Sequence, residues 1–164
     1  MKPVEFSDNI FKMMREGALL SADDGERANM MTVGWGGIGV LWNKDVCFVF
    51  VRPSRYTYDI IENSNLMALS FFDKKHRSAL GICGTKSGRD IDKLRESGLT
   101  PVRRDGFLTF DEAYVTIKAK KLFYSDFNIE NFLNKDIIER FYNDDDYHRV
   151  YACEIIDIEK CVHE

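Results

Sequence analysis

Two arginines and two hydroxyls stand where a strand gives way to a helix, and Arg52, Ser54, Arg55 and Thr57 are the side chains of this chain best suited to hold an anion. Residues 47–51 form an unbroken apolar run with the length and the β-branched, aromatic character of a buried strand. The run stops at Arg52-Pro53, where Pro53 fixes φ and lacks an N–H, as suits a strand exit. Ser54 then reads as a helix N-cap, and Tyr56–Asn63 has helical spacing, with Ile60 and Ile61 four residues after Tyr56 and Thr57. The first turn of a helix has N–H groups without an internal acceptor and a partial positive charge. Guanidinium groups and hydroxyls beside it add charge and donors, and the planar arginine fork fits phosphate oxygens. The competing account is a capped turn whose arginines face water.

The segment just upstream favours a ligand. Residues 29–42 combine Asn29 and Thr32, the thioethers of Met30 and Met31, the indoles of Trp35 and Trp42, and glycines at 34, 36, 37 and 39. Glycine weakens a strand and marks a bulge or a close approach of a ligand or another backbone. Main-chain N–H and C=O groups exposed there could read the polar edge of a heteroaromatic ring, while Met and Trp pack on its faces. A bent barrel strand with an aromatic core explains the same residues, and it is the expectation for Trp42 and the methionines. Gly-Trp-Gly-Gly matches neither the G-x-G-x-x-G fingerprint nor a Walker loop.

A third cluster spans residues 83–93. Gly84 and Gly88 permit unusual backbone angles, Lys86, Ser87 and Arg89 could reach a phosphate or a polyol chain, and residues 90–96 have helical composition with an acidic first turn. Ser87 or Asp90 could equally serve only as the cap of that helix. His148 follows the acidic run 144–146, which reads as a solvated loop, and its role is open between a ring donor and a structural histidine.

These residues carry a resemblance. The order N-M-x-T-x-G-W-G-x-I-G, an apolar strand, R-P-x-R-Y-T-Y, then C-G-x-K-S-G-R-D-x-D-K resembles the flavin reductase-like, FMN-binding split-barrel family, in particular its flavoredoxin group. The likeness runs from Gly17-Ala18-Leu19-Leu20 to Tyr147-His148 and Cys153-Glu154-Ile155. It implies a single domain over residues 1–164, mainly β with short α-helices, folded as an FMN-binding split β-barrel. It implies FMN along Asn29, Met30, Met31, Thr32, Val33, Gly34 and Trp35, with Arg52, Pro53, Ser54, Arg55 and Thr57 toward the phosphate. Lys86, Ser87, Gly88 and His148 complete the implied cofactor set. Hydride would come from NADH or NADPH, and electrons would pass to a further acceptor; the alternative is a flavin-binding electron carrier or sensor reduced by a redox partner protein. No protein nucleophile, acid–base pair or metal is then required, because the isoalloxazine carries the chemistry. The resemblance also implies a homodimer with the flavin at the two-fold interface, the commonest symmetric assembly.

The elements that must position these groups alternate between strands and short helices. Residues 9–16 suggest an amphipathic helix with Ile10, Met13 and Met14 on one side, and strands are expected at 18–22, 66–72, 113–123 and 150–158. Ile137, Ile138 and Phe141 give a further short helix its apolar side. Six or so strands without long crossover helices fit a closed or split barrel better than a doubly wound sheet.

Composition narrows the class further. With 164 residues, 45% of them hydrophobic, the chain can bury one substantial core. A formal charge of −4 argues against a nonspecific nucleic-acid binder, which needs a basic field. Cysteines 47, 83, 153 and 161 have no C-x-x-C or metal spacing, and histidines 76, 148 and 163 are scattered, so buried reduced thiols in a cytoplasmic protein are expected. The amino terminus has no apolar stretch of signal or membrane length, and no membrane association is expected.

Overall fold

The structure, a computed structural model, describes residues 1–161. Among the described residues nine strands form: β1 (Ala18–Asp23), β2 (Ala28–Val33), β3 (Gly36–Leu41), β4 (Lys44–Val51), β5 (Leu66–Phe71), β6 (Pro101–Arg104), β7 (Phe107–Phe110), β8 (Val115–Asp126) and β9 (Arg149–Lys160). Five short α-helices interrupt them: α1 (Ile10–Glu16), α2 (Tyr56–Asn63), α3 (Arg77–Thr85), α4 (Lys93–Glu96) and α5 (Asp136–Phe141). The protein is therefore mainly β with short helices, as expected.

Seven strands make one antiparallel sheet in the order β2-β1-β5-β8-β9-β4-β3. Its two edges, β2 and β3, are consecutive in the chain and separated only by Gly34 and Trp35. The sheet must therefore curl until its edges nearly meet, yet no ladder joins them among the described residues. Alternation supplies the inner face: Leu20, Met31, Val49, Leu69, Ile117 and Tyr151, from six different strands, share one buried core. This is a barrel left open at one seam. On the other face of β1 and β2, Leu19 and Met30 join Ala79 and Cys83 of α3 and Leu108 and Phe110 of β7 in a second core.

Several expectations are corrected here. The single glycine-loosened strand over 29–42 is two strands broken at Gly34 and Trp35. Trp42 is not a core residue: it and Asn43 have φ of 53° and 55°, the positive pair of a tight β3–β4 hairpin turn, and Trp42 is 56% exposed against the edge of Phe123. Cys83 and Gly84 end α3 rather than opening a loop, and α4 is capped by Asp92, whose side chain accepts the Arg95 N–H. Neither Ser87 nor Asp90 holds that position. The β6–β7 hairpin, turning on Asp105 and Gly106 with φ of 55° and 81°, has no counterpart among the expected elements.

Cys47 and Cys153 face each other in the β4–β9 register, both buried and free, whereas Cys161 is exposed. His163 lies outside the described residues. Among those residues, no helix is long and apolar enough to cross a membrane, and no cluster of three His, Cys, Asp or Glu could hold a metal.

Candidate functional site

The seam of the barrel opens into a cleft of about 310 Å³. Met31, Thr32, Val33, Gly34 and Trp35 supply one wall, where β2 ends and the chain crosses to β3. Phe50, Phe141 and His148 add aromatic surface, while Arg52, Arg55 and Gly84 supply polar groups. Trp35 is 44% exposed and meets Phe141 edge-on at 5.3 Å and His148 at 5.0 Å between ring centroids. Because β2 is an edge strand, half of its main-chain groups have no strand partner. Met30 C=O points outward to accept the Lys93 ammonium at 3.1 Å, and the parity of an antiparallel ladder gives Thr32 the same outward main-chain direction. The wall thus offers apolar faces and a polar main-chain edge.

Arg55 also lines a second pocket of about 230 Å³ at the start of α2. Around it stand the side chains of Ser54, Thr57, Thr85 and Ser87, the ring of Tyr56, and the cations Lys86 and Lys93. No carboxylate lines this pocket among the described residues. Thr57 is 1% exposed and accepts the Asn29 side-chain amide at 3.0 Å, so its own hydroxyl proton remains for the pocket. Gly88 closes the far side: a methyl group there would lie 2.6 Å from Asn29 Oδ1 and from the Tyr56 ring. α2 contributes first-turn N–H groups to the same mouth, and Arg55 is held across it by donating to Gly84 C=O at 3.1 Å. Three cations, a helix start and the hydroxyls of Thr57 and Ser87, with no carboxylate in the lining, are groups that suit an anion, whereas the hydroxyls of Ser54 and Thr85 are spent on Asp146 and Gly81 C=O.

The expected residues are divided between these two pockets, with exceptions. Met31, Thr32, Val33, Gly34, Trp35, Arg52 and His148 come to the cleft, Ser54, Thr57, Lys86, Ser87 and Gly88 to the anion pocket, and Arg55 to both. Met30 has no side-chain part, since it is wholly buried in the second core and offers only its carbonyl. Asn29 acts through Thr57. Pro53 lines neither pocket and only ends the strand. Arg52 is corrected from the phosphate to the cleft rim, because its fork is spent on Asp144 at 3.1 Å and on Phe141 C=O at 2.5 Å, the last carbonyl of α5. Ser54 is not the N-cap of α2: Arg55 occupies that position, and the Ser54 hydroxyl and N–H donate to Asp146 instead. The acidic run is therefore a clasp on the 52–54 turn, not a loop facing only water.

Residues missed by the sequence reading are Phe50, Tyr56, Gly84, Thr85, Phe141 and Lys93. Lys93 closes the same motif that contains Gly88, and its apolar flank Leu94 was the available sign of burial.

Electrostatics distinguish the two pockets. Burial, with the Arg52 charge adding to it, pushes the His148 imidazole down to about 4, so the ring is neutral near pH 7. Its Nδ1 lies 2.7 Å from the Tyr142 hydroxyl, whose own proton is retained more firmly because of burial. With Tyr142 donating, the ring proton sits at Nε2. Burial likewise pushes Lys93 down, to about 8, although its ammonium donates to Cys83 C=O at 2.8 Å as well as to Met30.

The fold and this paired site define a flavin reductase-like protein, and the chain belongs to that family: its model, the flavin reductase like domain, matches residues 12–159. Among solved structures, an FMN-binding protein from Thermus thermophilus with bound 1-cyclohex-2-enone superposes with a TM-score of 0.70 at 17% identity, covering 88% of this chain and 69% of that one. Flavoredoxin from Methanosarcina acetivorans gives 0.69 at 20% identity, covering 88% and 68%. A Streptomyces globisporus NADH:FAD oxidoreductase in complex with NAD and FAD fragments gives 0.67 at 12% identity, covering 88% and 74%. These likenesses are of fold. A search of the curated proteins by sequence found no match.

Proposed function

We propose that the protein binds FMN, ring in the seam cleft and phosphate at the start of α2, and transfers hydride from NADH or NADPH to it. The observation that carries this reading is the pairing of an aromatic cleft with a carboxylate-free cationic pocket, joined through Arg55. When bound, the flavin supplies a ring nitrogen that accepts hydride and a conjugated system that stores the electrons. The chain's own tasks are binding and orientation. Met31 and Trp35 pack against the ring, the open main-chain edge of β2 reads its polar rim, and neutral His148 offers a donor without adding charge. Arg55, Lys86 and Thr57 hold the phosphate.

Anaerobic mixing of the FMN-loaded protein with NADH and NADPH tests the reaction. Bleaching of the flavin absorption by at least one donor is expected. A flavin that stays oxidised with both contradicts hydride transfer and favours a carrier reduced by a partner protein.

The homodimer belongs to the same proposal. Trp35 and Phe141 at the cleft, and Trp42 and Phe123 farther along the barrel, expose large apolar surface that a second copy would cover. Sedimentation should give the mass of two chains, and the mass of one would overturn this part.

A further inference from the structure

Lys93 presents an energetic anomaly. It is 3% exposed, yet its ammonium donates only to two neutral carbonyls, those of Met30 and Cys83, among the described residues. A buried charge without a counter-charge is costly, and folded chains place one where a ligand or a lost proton removes the cost. The charged groups around it do not help. Arg55, at the start of α2, repels it, and Lys86 stands across the same pocket. Cys83, on α3, is itself held protonated by burial, its thiol pushed up to about 11. Glu96 shares its helix, and Asp90 and Asp92 line a neighbouring pocket with Arg27, Arg89 and Arg103, but among the described residues no carboxylate forms an ion pair with the Lys93 ammonium: Asp92 caps Arg95 and Asp59 holds Arg89. On the side of the anion pocket, the counter-charge is whatever anion enters it.

We propose that Lys93 is the ammonium that neutralises the flavin phosphate from the outer side of β2, so that phosphate binding and Lys93 protonation are thermodynamically linked. The inference rests on the FMN reading above and adds to it a residue and a pH dependence. Geometry gives the linkage a second consequence. Because Lys93 also grips the outward carbonyl of Met30, two residues before Thr32, the cation beneath the phosphate is tied to the strand edge beneath the ring. Lys93 is in this sense a positioning residue as well as a phosphate partner.

The sign follows from the free protein. Without an anion, burial makes Lys93 give up its proton near pH 8 instead of near 10.5. A dianion beside it restores the proton, so binding takes up protons around that pH and weakens as pH rises further. The second ionisation of a phosphate ester lies near ~6, so FMN has no phosphate proton of its own to exchange in this range.

The readout is the ratio of FMN to riboflavin affinity, since the two share a ring and differ in the phosphate. In the wild type this ratio should fall between pH 7 and pH 9.5. Lys93→Met, which keeps length and removes charge, should lower the ratio about tenfold or more at pH 7 and leave it flat with pH. A ratio that is unchanged in the variant, or that stays level with pH in the wild type, overturns the role of Lys93 while leaving FMN binding intact. A ratio near one in the wild type at every pH overturns the phosphate site itself, and this proposal with it. Calorimetry of the wild type in buffers of different ionisation enthalpy gives a check that needs no variant. Net proton uptake at pH 8.5 is expected with FMN and not with riboflavin, and no uptake with FMN overturns the linkage.

Discussion

His148 illustrates how burial sets chemistry at one residue. Neutral in the fold and half charged near pH 6.5 when unfolded, it makes the folded state bind fewer protons than the unfolded state, so its effect on stability is felt as pH falls from 6.5 toward about 4. At pH 5 this costs about 2 kcal/mol, from ~1.4 kcal/mol for each unit of pKa difference. His148→Gln keeps a partner for Tyr142 and cannot charge, so urea unfolding should show a smaller loss of stability between pH 7 and pH 5 in the variant. Equal losses in both proteins would show that His148 is not held neutral. Residues whose partners are local in sequence were readable in advance. Arg55 is the N-cap of α2 and Thr57 sits on its first turn, and Gly34 and Trp35 announce a break by type. Arg52 was misassigned because its partners, Phe141 and Asp144, come from about ninety positions later, and Ser54 because Asp146 competes for its hydroxyl. No local pattern contains those distances.

Among the elements, the seam between β2 and β3 matters most, because it makes the cleft and leaves a main-chain edge facing it. Glycines 36 and 37 begin β3 with different demands. A Cβ at Gly36 would lie 2.6 Å from Phe48 C=O, whereas a Cβ at Gly37 would meet nothing within 4 Å. Gly36→Ala should therefore push β3 from β4 and cost about 2 kcal/mol, while Gly37→Ala should stay within about 0.5 kcal/mol of the wild type. Chemical denaturation of the two variants checks this, and equal stabilities would mean that the seam relaxes freely. The long strands were legible because β4 and β5 carry nearly continuous apolar runs and the first half of β8 alternates in sequence: β4 extends its expected run, β5 matches its own to within a residue, and β8 lies two to three residues further along than expected. The β6–β7 hairpin was not. Its strands have four residues each and β6 is largely exposed, so no apolar period forms, and only Asp105-Gly106 signalled the turn. Helix α3 has no counterpart among the expected elements, because Gly81 and Gly84 interrupt a sequence of only nine residues and leave its apolar period short.

At the scale of the molecule, the seven-stranded sheet curls around one core, and its open seam has residues 34 and 84 in the lining of one cleft and residue 55 in the lining of two pockets. Neither pocket alone identifies a ligand. An aromatic cleft suits many flat rings and a cationic pocket suits many anions, but a shared arginine puts the two within reach of one molecule that has both features. That a flavin with its phosphate spans them is the central claim, and titration of the protein with FMN and with riboflavin tests it most directly. The wild type should bind FMN more tightly than riboflavin. Arg55→Ala should weaken FMN by about tenfold or more, because it removes a charge-assisted contact, and Thr57→Ala by less, while riboflavin binding changes little. Unchanged FMN affinity in both variants would contradict the account.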